Sequence, residues 1–317
     1  MNSTLVLTLL ASAVTMTVRA GIPLYLATLG GITTEVSGVS NLGIEGIMAM
    51  GAVSGFAAAL YSQNVWVGLA AAILVGGFLG LVNAFWAITL RAKQTAVGIT
   101  LANLLGGGLA NFLGQRLGPN SQPLIGINGP RLTKIALPLL SELPYFGKAL
   151  FRQDVLVYLT YCLIPFAWFL LYKTKLGLNL RAAGDDPATA DSLGIDVNHL
   201  RYAWCVVGGS FMGLGGAYLS LSYTPGWTYN LSGGIGWIAI AMVIFSQWDP
   251  VRAWIGALVF GGVNALQLFF QASSSLLSPS VLQMLPFLAT LIVLTAVGRK
   301  EGQGAPEGLG IPFVREE

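Results

Sequence analysis

The stretch GLNLRAAGDDPATADSLGIDVNHLR, residues 177–201, is the most polar internal part of the chain and separates two long apolar segments. Asp185 or Asp186 can be the N-cap of a helix, because a carboxylate accepts hydrogen bonds from the free N–H groups of a first turn. Pro187 suits the first helical position. We therefore predict a short helix over residues 188–193, lying in water between two apolar helices.

This short helix, which we expect to end at Gly194, has two interpretations. A connecting loop needs no ordered helix unless another protein docks on it. The first interpretation is therefore a docking surface, through which a partner moves the apolar helices. The second is a solvated loop without a partner, and the stretch itself leaves both open.

The composition indicates a membrane protein. Of the 317 residues, 55% are hydrophobic and 9% are charged, whereas soluble domains carry about 25% charged residues. The mean hydropathy is +0.72, which is more apolar than a soluble core requires. The net charge of +3 is scattered, without the basic run that would indicate nucleic-acid binding. Cys162 and Cys205 are isolated in apolar segments and indicate neither a disulfide framework nor a metal site.

The apolar segments predict an all-α, polytopic membrane bundle of about 9–10 transmembrane helices, some broken or short. Eight segments follow Glu35, and one or two precede it. Residues 5–32 contain Arg19, Gly21 and Pro23, so they form either one long kinked helix or two short ones. A crossing needs about 20 residues. The segment 235–248 therefore crosses only together with the preceding turn.

The regions outside the apolar segments define the domain organisation. Residues 118–153 contain several prolines and predict a structured loop outside the bilayer, with a short helix around residues 135–141. We assign residues 1–300 to the transmembrane domain and residues 177–200 to its polar internal segment. Residues 301–317 are predicted to be a flexible tail.

Lysine and arginine positions indicate the orientation, because these residues concentrate in cytoplasmic loops. With a cytoplasmic C-terminus, ten lie inside and five outside. The inner group is Arg91, Lys93, Lys173, Lys175, Arg181, Arg201, Arg252, Arg299, Lys300 and Arg315. The polar segment is then cytoplasmic and the loop 118–153 faces outward, while the side on which Met1 lies stays undecided.

Glu45 is the main electrostatic problem in the apolar segments. It lies between Gly43 and Gly46, and a charge at the bilayer centre costs at least about 2.5–3.5 kcal/mol. Flanking glycines indicate an unwound segment that lines a cavity. One interpretation is a substrate-pathway or gating residue. The other is a carboxylate near the interface that caps a helix and never meets substrate.

Amide and aromatic residues in the spans are the other pathway candidates. Asn41-Leu42 and Asn230-Leu231 begin similar glycine-containing breaks, and paired breaks point to a binding site at mid-membrane. Such amides bind substrate or join helix to helix, and the aromatic rings either stack on a flat ligand or lie in interfacial belts. The candidate pathway residues are Asn41, Glu45, Asn83, Asn103, Trp227 and Asn230.

Three collinear motifs resemble those of one family. NLGIEGIMAMGA, residues 41–52, resembles an N-I-G-L-E-G-x-M-x-x-G-A signature. LRAAGDDPATADSLGIDV, residues 180–197, resembles L-R-A-x-G-E-N-P-x-A-A-x-x-x-G-I-x-V, with Asp-Asp in place of Glu-Asn. Residues 216–250 resemble a G-A-Y-L-S-L region followed by G-x-G-[FW]-I-A and W-x-P. These are motifs of inner-membrane permease subunits of bacterial ABC importers, in the simple-sugar and nucleoside (branched-chain amino acid/ribose-type) family.

The resemblance implies a transport subunit with no enzymatic site or cofactor of its own. Such a permease pairs in the membrane lipid with a paralogous permease, rests on a separate ABC ATPase, and receives substrate from an extracytoplasmic binding protein. Because the sequence lacks a G-x-x-x-x-G-K-[ST] loop, ATP binding by a P-loop would belong to the partner chain. The implied ATPase-coupling residues are Arg181, Asp185, Asp186, Pro187, Ala188, Ala190, Leu193 and Gly194. The loop 118–153 and the turn 224–234 are candidates for the binding-protein face.

The resemblance favours a nucleoside, particularly a purine nucleoside, with riboflavin or a simple sugar as alternatives. An ion-coupled secondary carrier is a rival from another class, but it needs intramembrane relay groups. Glu45, Glu35 and Arg19 are the few candidates for such a relay. A passive channel is a third possibility.

Overall fold

The computed structural model describes residues 3–136, 147–273, 278–282, 284–297 and 304–314. These residues form a polytopic helical membrane bundle. The helices are α1 (Ser3–Val36), α2 (Ile44–Ser62), α3 (Val65–Thr89), α4 (Gln94–Arg116), α5 (Gly147–Phe151), α6 (Val155–Lys173), α7 (Lys175–Asp185), α8 (Pro187–Ser192), α9 (Val197–Tyr223), α10 (Ile235–Phe245), α11 (Pro250–Ser273), α12 (Pro279–Leu282) and α13 (Leu285–Val297). The last turns of α3 and α9 and the middle of α4 are π-helical.

The centre of the bundle is built on α9, which packs against α1, α2 and α3. The glycines of α9 allow this close approach. A Cβ on Gly213 would lie 2.3 Å from the carbonyl oxygen of Ala72 in α3, and a Cβ on Gly51 in α2 would lie 2.3 Å from that of Gly213. Small residues replace the missing hydrophobic force between helices in lipid by permitting backbone contact. The glycine-rich composition therefore specifies which helices are central.

Five helices among the described residues are long and apolar enough to cross a membrane: α2, α3, α4, α6 and α9. In α2 and α9, 72% and 78% of the residues in the apolar 18-residue stretch are buried inside the protein. The buried share of the same stretch is 39% in α3, 33% in α4 and 28% in α6. The three outer helices therefore present apolar faces to lipid or to another membrane subunit.

The chain before Glu35 forms one helix, which resolves the choice between one long helix and two short ones. α1 is 34 residues long and continues through Pro23 without a break. Residues 20–39, which include the second half of α1 and the start of the following connection, are all buried. α10 is short, as predicted. Its 11 residues extend for about 16 Å at 1.5 Å per residue, about half of a bilayer's apolar thickness.

The loop 118–153 is ordered where it is described, but it differs from the prediction in one element. Ile135 was expected in a short helix, and it lies instead in β1 (Lys134–Ala136), which pairs antiparallel with β2 (Arg152–Asp154). The strand forms because the chain returns alongside itself, and the Tyr158 hydroxyl donates to the Ile135 carbonyl at 2.8 Å. Residues 137–141 of the expected helix lie outside the described residues.

The predicted short helix is present as α8, shifted by one residue towards the N-terminus. Asp186 is its N-cap, Pro187 is its first residue, and Gly194 follows it with φ +84°. The tail was predicted to be flexible, but its residues 308, 310 and 311 form hydrogen bonds with the rest of the chain. Residues 301–303 and 315–317 lie outside the described part, as do Arg299, Lys300 and Arg315, which contribute to the predicted orientation.

Candidate functional site

The site is centred on the Glu45 carboxylate, which joins two helix N-termini. Glu45 lies in the first turn of α2 and reaches the start of α10. Its Oε1 accepts hydrogen bonds from the Ser232 hydroxyl at 2.6 Å and from the Gly234 N–H at 3.1 Å. Its Oε2 accepts one from the Gly236 N–H at 2.7 Å. A carboxylate at two helix N-termini is stabilised by both macrodipoles and by otherwise free N–H groups.

Helix lengths place this contact well inside the bundle. At the other end of α10, the Trp248 indole donates to a carboxylate oxygen of Glu35 at 2.8 Å, next to the end of α1. The N-terminus of α10 is therefore about half a membrane thickness away from that end. This short helix therefore completes a crossing only if residues 230–234 also enter the membrane, which stays a prediction.

A cavity of about 320 Å³ lies beside the Glu45 contact. It brings together three of the six predicted pathway residues, Glu45, Asn103 and Asn230. The Asn103 amide is exposed and donates to the Ile99 carbonyl at 3.0 Å, which leaves its oxygen free to accept. Asn230 pairs with the Asn111 side chain at 3.0 Å. The chain thus presents amide and carboxylate groups to one cavity.

Sequence reasoning missed further lining residues of the cavity. Ser232 and Trp237 flank the break before α10, and Gly107 lies on the π-helical part of α4. A Cβ on Gly107 would meet nothing within 4 Å, so its backbone is open to the cavity. The sequence signal for Ser232 and Trp237 was their position within three residues of the two glycines that unwind the chain.

The other three predicted pathway residues lie outside this cavity. The buried Asn41 side chain accepts from the Gly43 N–H at 2.9 Å, an Asx turn directly before α2, whose N-cap is Gly43. Asn83 is buried on α3, and neither of its polar atoms has a partner among the described residues. Trp227 is buried, and a Cβ on Gly114 would lie 2.1 Å from its ring. Asn41 and Trp227 thus make packing or hydrogen-bond contacts outside the cavity, and their place in the pathway stays a prediction.

The loop 118–153 and the turn 224–234 meet at Trp227. Ile125 forms an isolated bridge with Trp227. The Leu132 N–H donates to the Leu221 carbonyl at 2.9 Å. The two segments predicted to form a binding-protein face are therefore adjacent on one end of the bundle.

α8 lies at the opposite end and has an inner and an outer face. Ala190 is buried, whereas Ala188 is exposed and Leu193 is 76% exposed. Hydrogen bonds from the Thr189 hydroxyl and backbone N–H hold the pKa of Asp186 below its usual range. The cap keeps α8 ordered although its outer face is exposed to water.

Arg181 and Asp185 line a cavity of about 520 Å³ beside α8, which Trp248 and Glu307 also line. The Arg181 guanidinium lies 5.2 Å from the centre of the Tyr172 ring, a cation–π contact. Burial and then the negative charge of Glu307 raise the pKa of Asp185. Among the described residues, no cluster of His, Cys, Asp and Glu could hold a metal ion.

Comparison with known proteins identifies the family. Residues 4–294 match the family described as "Branched-chain amino acid transport system / permease component". The chain is 38% identical to a putative glucose ABC transporter permease protein, TsgC13, of Haloferax volcanii, over 92% of this chain and 93% of that protein. It is 33% identical to the guanosine ABC transporter permease protein NupQ of Bacillus subtilis, over 92% and 93% of the two chains.

A third relative is the nucleoside ABC transporter permease protein NupC of Lactococcus lactis, 32% identical over 93% of this chain and 94% of that protein. No solved structure gives a significant match. The family match covers the central helices, the Glu45 cavity and α8. The chain therefore belongs to the branched-chain amino acid transport system permease family of ABC transporters.

Proposed function

We propose that the chain is the permease subunit of an ATP-driven importer of nucleosides, with purine nucleosides favoured. The observation that carries the substrate class is the likeness to a guanosine permease and a nucleoside permease over more than nine-tenths of the chain. The Glu45 cavity is compatible with such a ligand, because amides, a carboxylate and the Trp237 ring suit a flat polar molecule. A simple sugar is the second candidate, since the glucose permease relative is 38% identical.

The proposed machinery has four parts. A paralogous permease completes the pathway, a separate ABC ATPase supplies energy, and an extracytoplasmic protein delivers substrate. The exposed outer face of α8, with Ala188 and Leu193, is the surface offered to the ATPase. The loop 118–153 and the turn 224–234, which meet at Trp227, form the surface that binds the extracytoplasmic protein. With this assignment, α8 and the C-terminus lie in the cytoplasm.

The proposed mechanism is alternating access. ATP binding closes the ATPase on α8, and the motion opens or closes the Glu45 contact between α2 and α10. The coupling residues are then Arg181, Asp185, Asp186, Pro187, Ala188, Ala190, Leu193 and Gly194. The α10 break is suited to a gate because Asn230, Gly233 and Gly234 have positive φ, so the chain changes direction there without a continuous helix.

Reconstitution tests this function. The chain is co-expressed with its neighbouring permease, ATPase and binding protein, and ATP-dependent uptake of guanosine, glucose and riboflavin into proteoliposomes is measured. We expect guanosine uptake that stops without ATP. Glucose uptake alone would move the substrate to the sugar class. Uptake by the permease without an ATPase, driven by an ion gradient, would support the rival secondary carrier and contradict the proposal.

A further inference from the structure

We propose that Arg201 is a positioning residue that fastens α8 and the C-terminal segment 304–314 to the connection between α1 and α2. This inference rests on the proposed function, because it assigns α8 a motion to transmit. The count of lysine and arginine placed Arg201 on the cytoplasmic side. Its side chain is 1% exposed and is the largest among the fully buried ones that the structure describes.

The Arg201 guanidinium donates to three carbonyl oxygens on three different segments. Its Nε donates to Ser37 at 3.0 Å, directly after α1. Its Nη2 donates to Ala183 at 3.4 Å, in the last turn of α7. Its Nη1 donates to Ile311 at 3.3 Å, in the C-terminal segment. One side chain therefore holds together parts of the chain that are up to 274 residues apart in sequence (311 − 37).

Among the described residues, Arg201 forms no ion pair with a carboxylate, and its guanidinium contacts carbonyl oxygens instead. The guanidinium lies at the C-terminal ends of α1 and α7, where free carbonyl groups carry the negative end of each helix dipole. A planar guanidinium can donate in several fixed directions at once. A lysine ammonium lacks this geometry, so Arg is the residue suited to join three carbonyls.

The backbone around Arg201 leaves no room for adjustment. Gly38 has φ +91°, and a Cβ there would lie 2.6 Å from the Arg201 Nη2. A Cβ on Gly184 would lie 2.1 Å from the Val36 carbonyl oxygen. The end of α7 is thus in backbone contact with the end of α1. A displacement of α8, which follows α7 after one residue, must act on this junction.

The C-terminal segment closes the junction from outside. The Gly308 N–H donates to the Gly184 carbonyl at 2.9 Å, and the Gly310 N–H donates to the Gly38 carbonyl at 3.1 Å. Phe313 packs against the small apolar cluster that contains Ala190 of α8. The segment therefore contacts both α8 and the connection between α1 and α2.

The α1–α2 connection leads directly to the cavity. The Ser40 N–H donates to the Gln94 side chain at 2.7 Å. The Asn41 side chain accepts from the N–H of Gly43, the N-cap of α2, and Glu45 follows in the first turn. The connection is thus held at both ends, by Arg201 and by the Glu45 contacts. Motion of α8 reaches the cavity through this short segment.

The test uses Arg201→Gln, Arg201→Lys and a truncation that removes residues 304–317, in the full reconstituted complex. Arg252→Gln is the matched control, because Arg252 is exposed and lies in the first turn of α11. The measured quantity is substrate transported per ATP hydrolysed, normalised to assembled complex. We expect it to fall about tenfold in Arg201→Gln and in the truncation, within the usual range of coupling between sites. Arg201→Lys should fall between wild type and Arg201→Gln.

A readout that needs no transport separates this inference from the proposed function. Hydrogen exchange at the backbone amides of residues 37–43 should speed up in Arg201→Gln and in the truncation, and stay unchanged in Arg252→Gln. Unchanged exchange in both variants, or transport and hydrolysis falling together with the amount of complex, overturns the inference. Faster exchange in Arg201→Gln and in the truncation, together with a wild-type complex that transports none of the three substrates, would sustain the inference about Arg201 while rejecting the proposed function.

Discussion

Replacing Glu45 by Gln is the sharpest test of the cavity. The substitution keeps the side-chain shape but removes the charge and turns one acceptor oxygen into an NH₂ donor. The two oxygens of Glu45 accept from Ser232, Gly234 and Gly236. Whichever way the Gln amide is turned, its NH₂ group faces at least one N–H or O–H donor, so at least one hydrogen bond is lost.

The magnitude follows from these contacts. One hydrogen bond to a charged group contributes about 1.5–3 kcal/mol. The charge at the α10 N-terminus contributes about 0.3–1 kcal/mol more. The contact between α2 and α10 should therefore weaken by about 2–4 kcal/mol, which is about 30- to 700-fold in the equilibrium between its closed and open forms.

The assay is ATP-dependent uptake in proteoliposomes, with ATP hydrolysis measured in parallel. We expect uptake per ATP to fall by about tenfold or more, while the amount of assembled complex is unchanged. Glu35→Gln is the matched control. Glu35 is buried, whereas Glu45 is half-buried, and the Glu35 side chain accepts one hydrogen bond, from Trp248. A Gln oxygen can still accept that bond, so transport should stay near the wild-type level.

Uptake kinetics that are unchanged in Glu45→Gln would refute the reasoning. Glu45 would then be a capping residue that never affects the pathway. Equal losses in Glu45→Gln and Glu35→Gln would also contradict it, because the effect would come from any buried carboxylate rather than from the contact at the α10 N-terminus.

Three further predictions follow from burial and charge. Ala188→Asp, at an exposed position, should leave the amount of protein in the membrane unchanged and uncouple ATP hydrolysis from uptake. Ala190→Asp buries an unpaired carboxylate and should lower the yield of folded protein. Quantifying the protein in the membrane and the ratio of uptake to ATP hydrolysis separates the two effects. Trp227→Ala removes a buried ring that packs on α4 and should cost about 3–5 kcal/mol, seen as a lower Tm. Burial and then the charge of Glu307 raise the pKa of Asp185. The stability linked to Asp185 is therefore present at low pH and is lost as the pH rises from the ordinary pKa of Asp to the raised one. Glu307→Gln should narrow this pH range, which a series of Tm measurements against pH would show.

The resemblance and the chemistry of individual residues already predicted much of the site. Asp186 and Pro187 encode the start of α8 locally, because a cap and a fixed φ act within one turn. Gly43 and Gly46 predicted an unwound segment around Glu45, which is wrong: Gly43 is the N-cap of α2, and Glu45 and Gly46 lie in its first turn. Asn103 and Asn230, 127 residues apart (230 − 103), were assigned to one pathway and line one cavity.

The sequence did not reveal the burial of Arg201. The count of lysine and arginine placed this residue on the cytoplasmic side and gave no sign of its contacts. Its burial depends on the meeting of α1, α7 and the C-terminal segment, which lie far apart in the chain. The tail was predicted to be flexible for the same reason, since its composition does not reveal the carbonyl groups of Gly38 and Gly184 that hold it.

The sequence by itself determined that the chain is a helical membrane protein, where its spans lie and that a capped helix interrupts them, because hydropathy, capping and glycine breaks act within one segment. Tertiary structure decided what those segments do to one another. It placed the Glu45 carboxylate on the N-terminus of α10, and it placed the Arg201 guanidinium on the C-termini of α1 and α7. Such contacts depend on three-dimensional packing, because a buried charge is stable only where distant backbone groups converge on it.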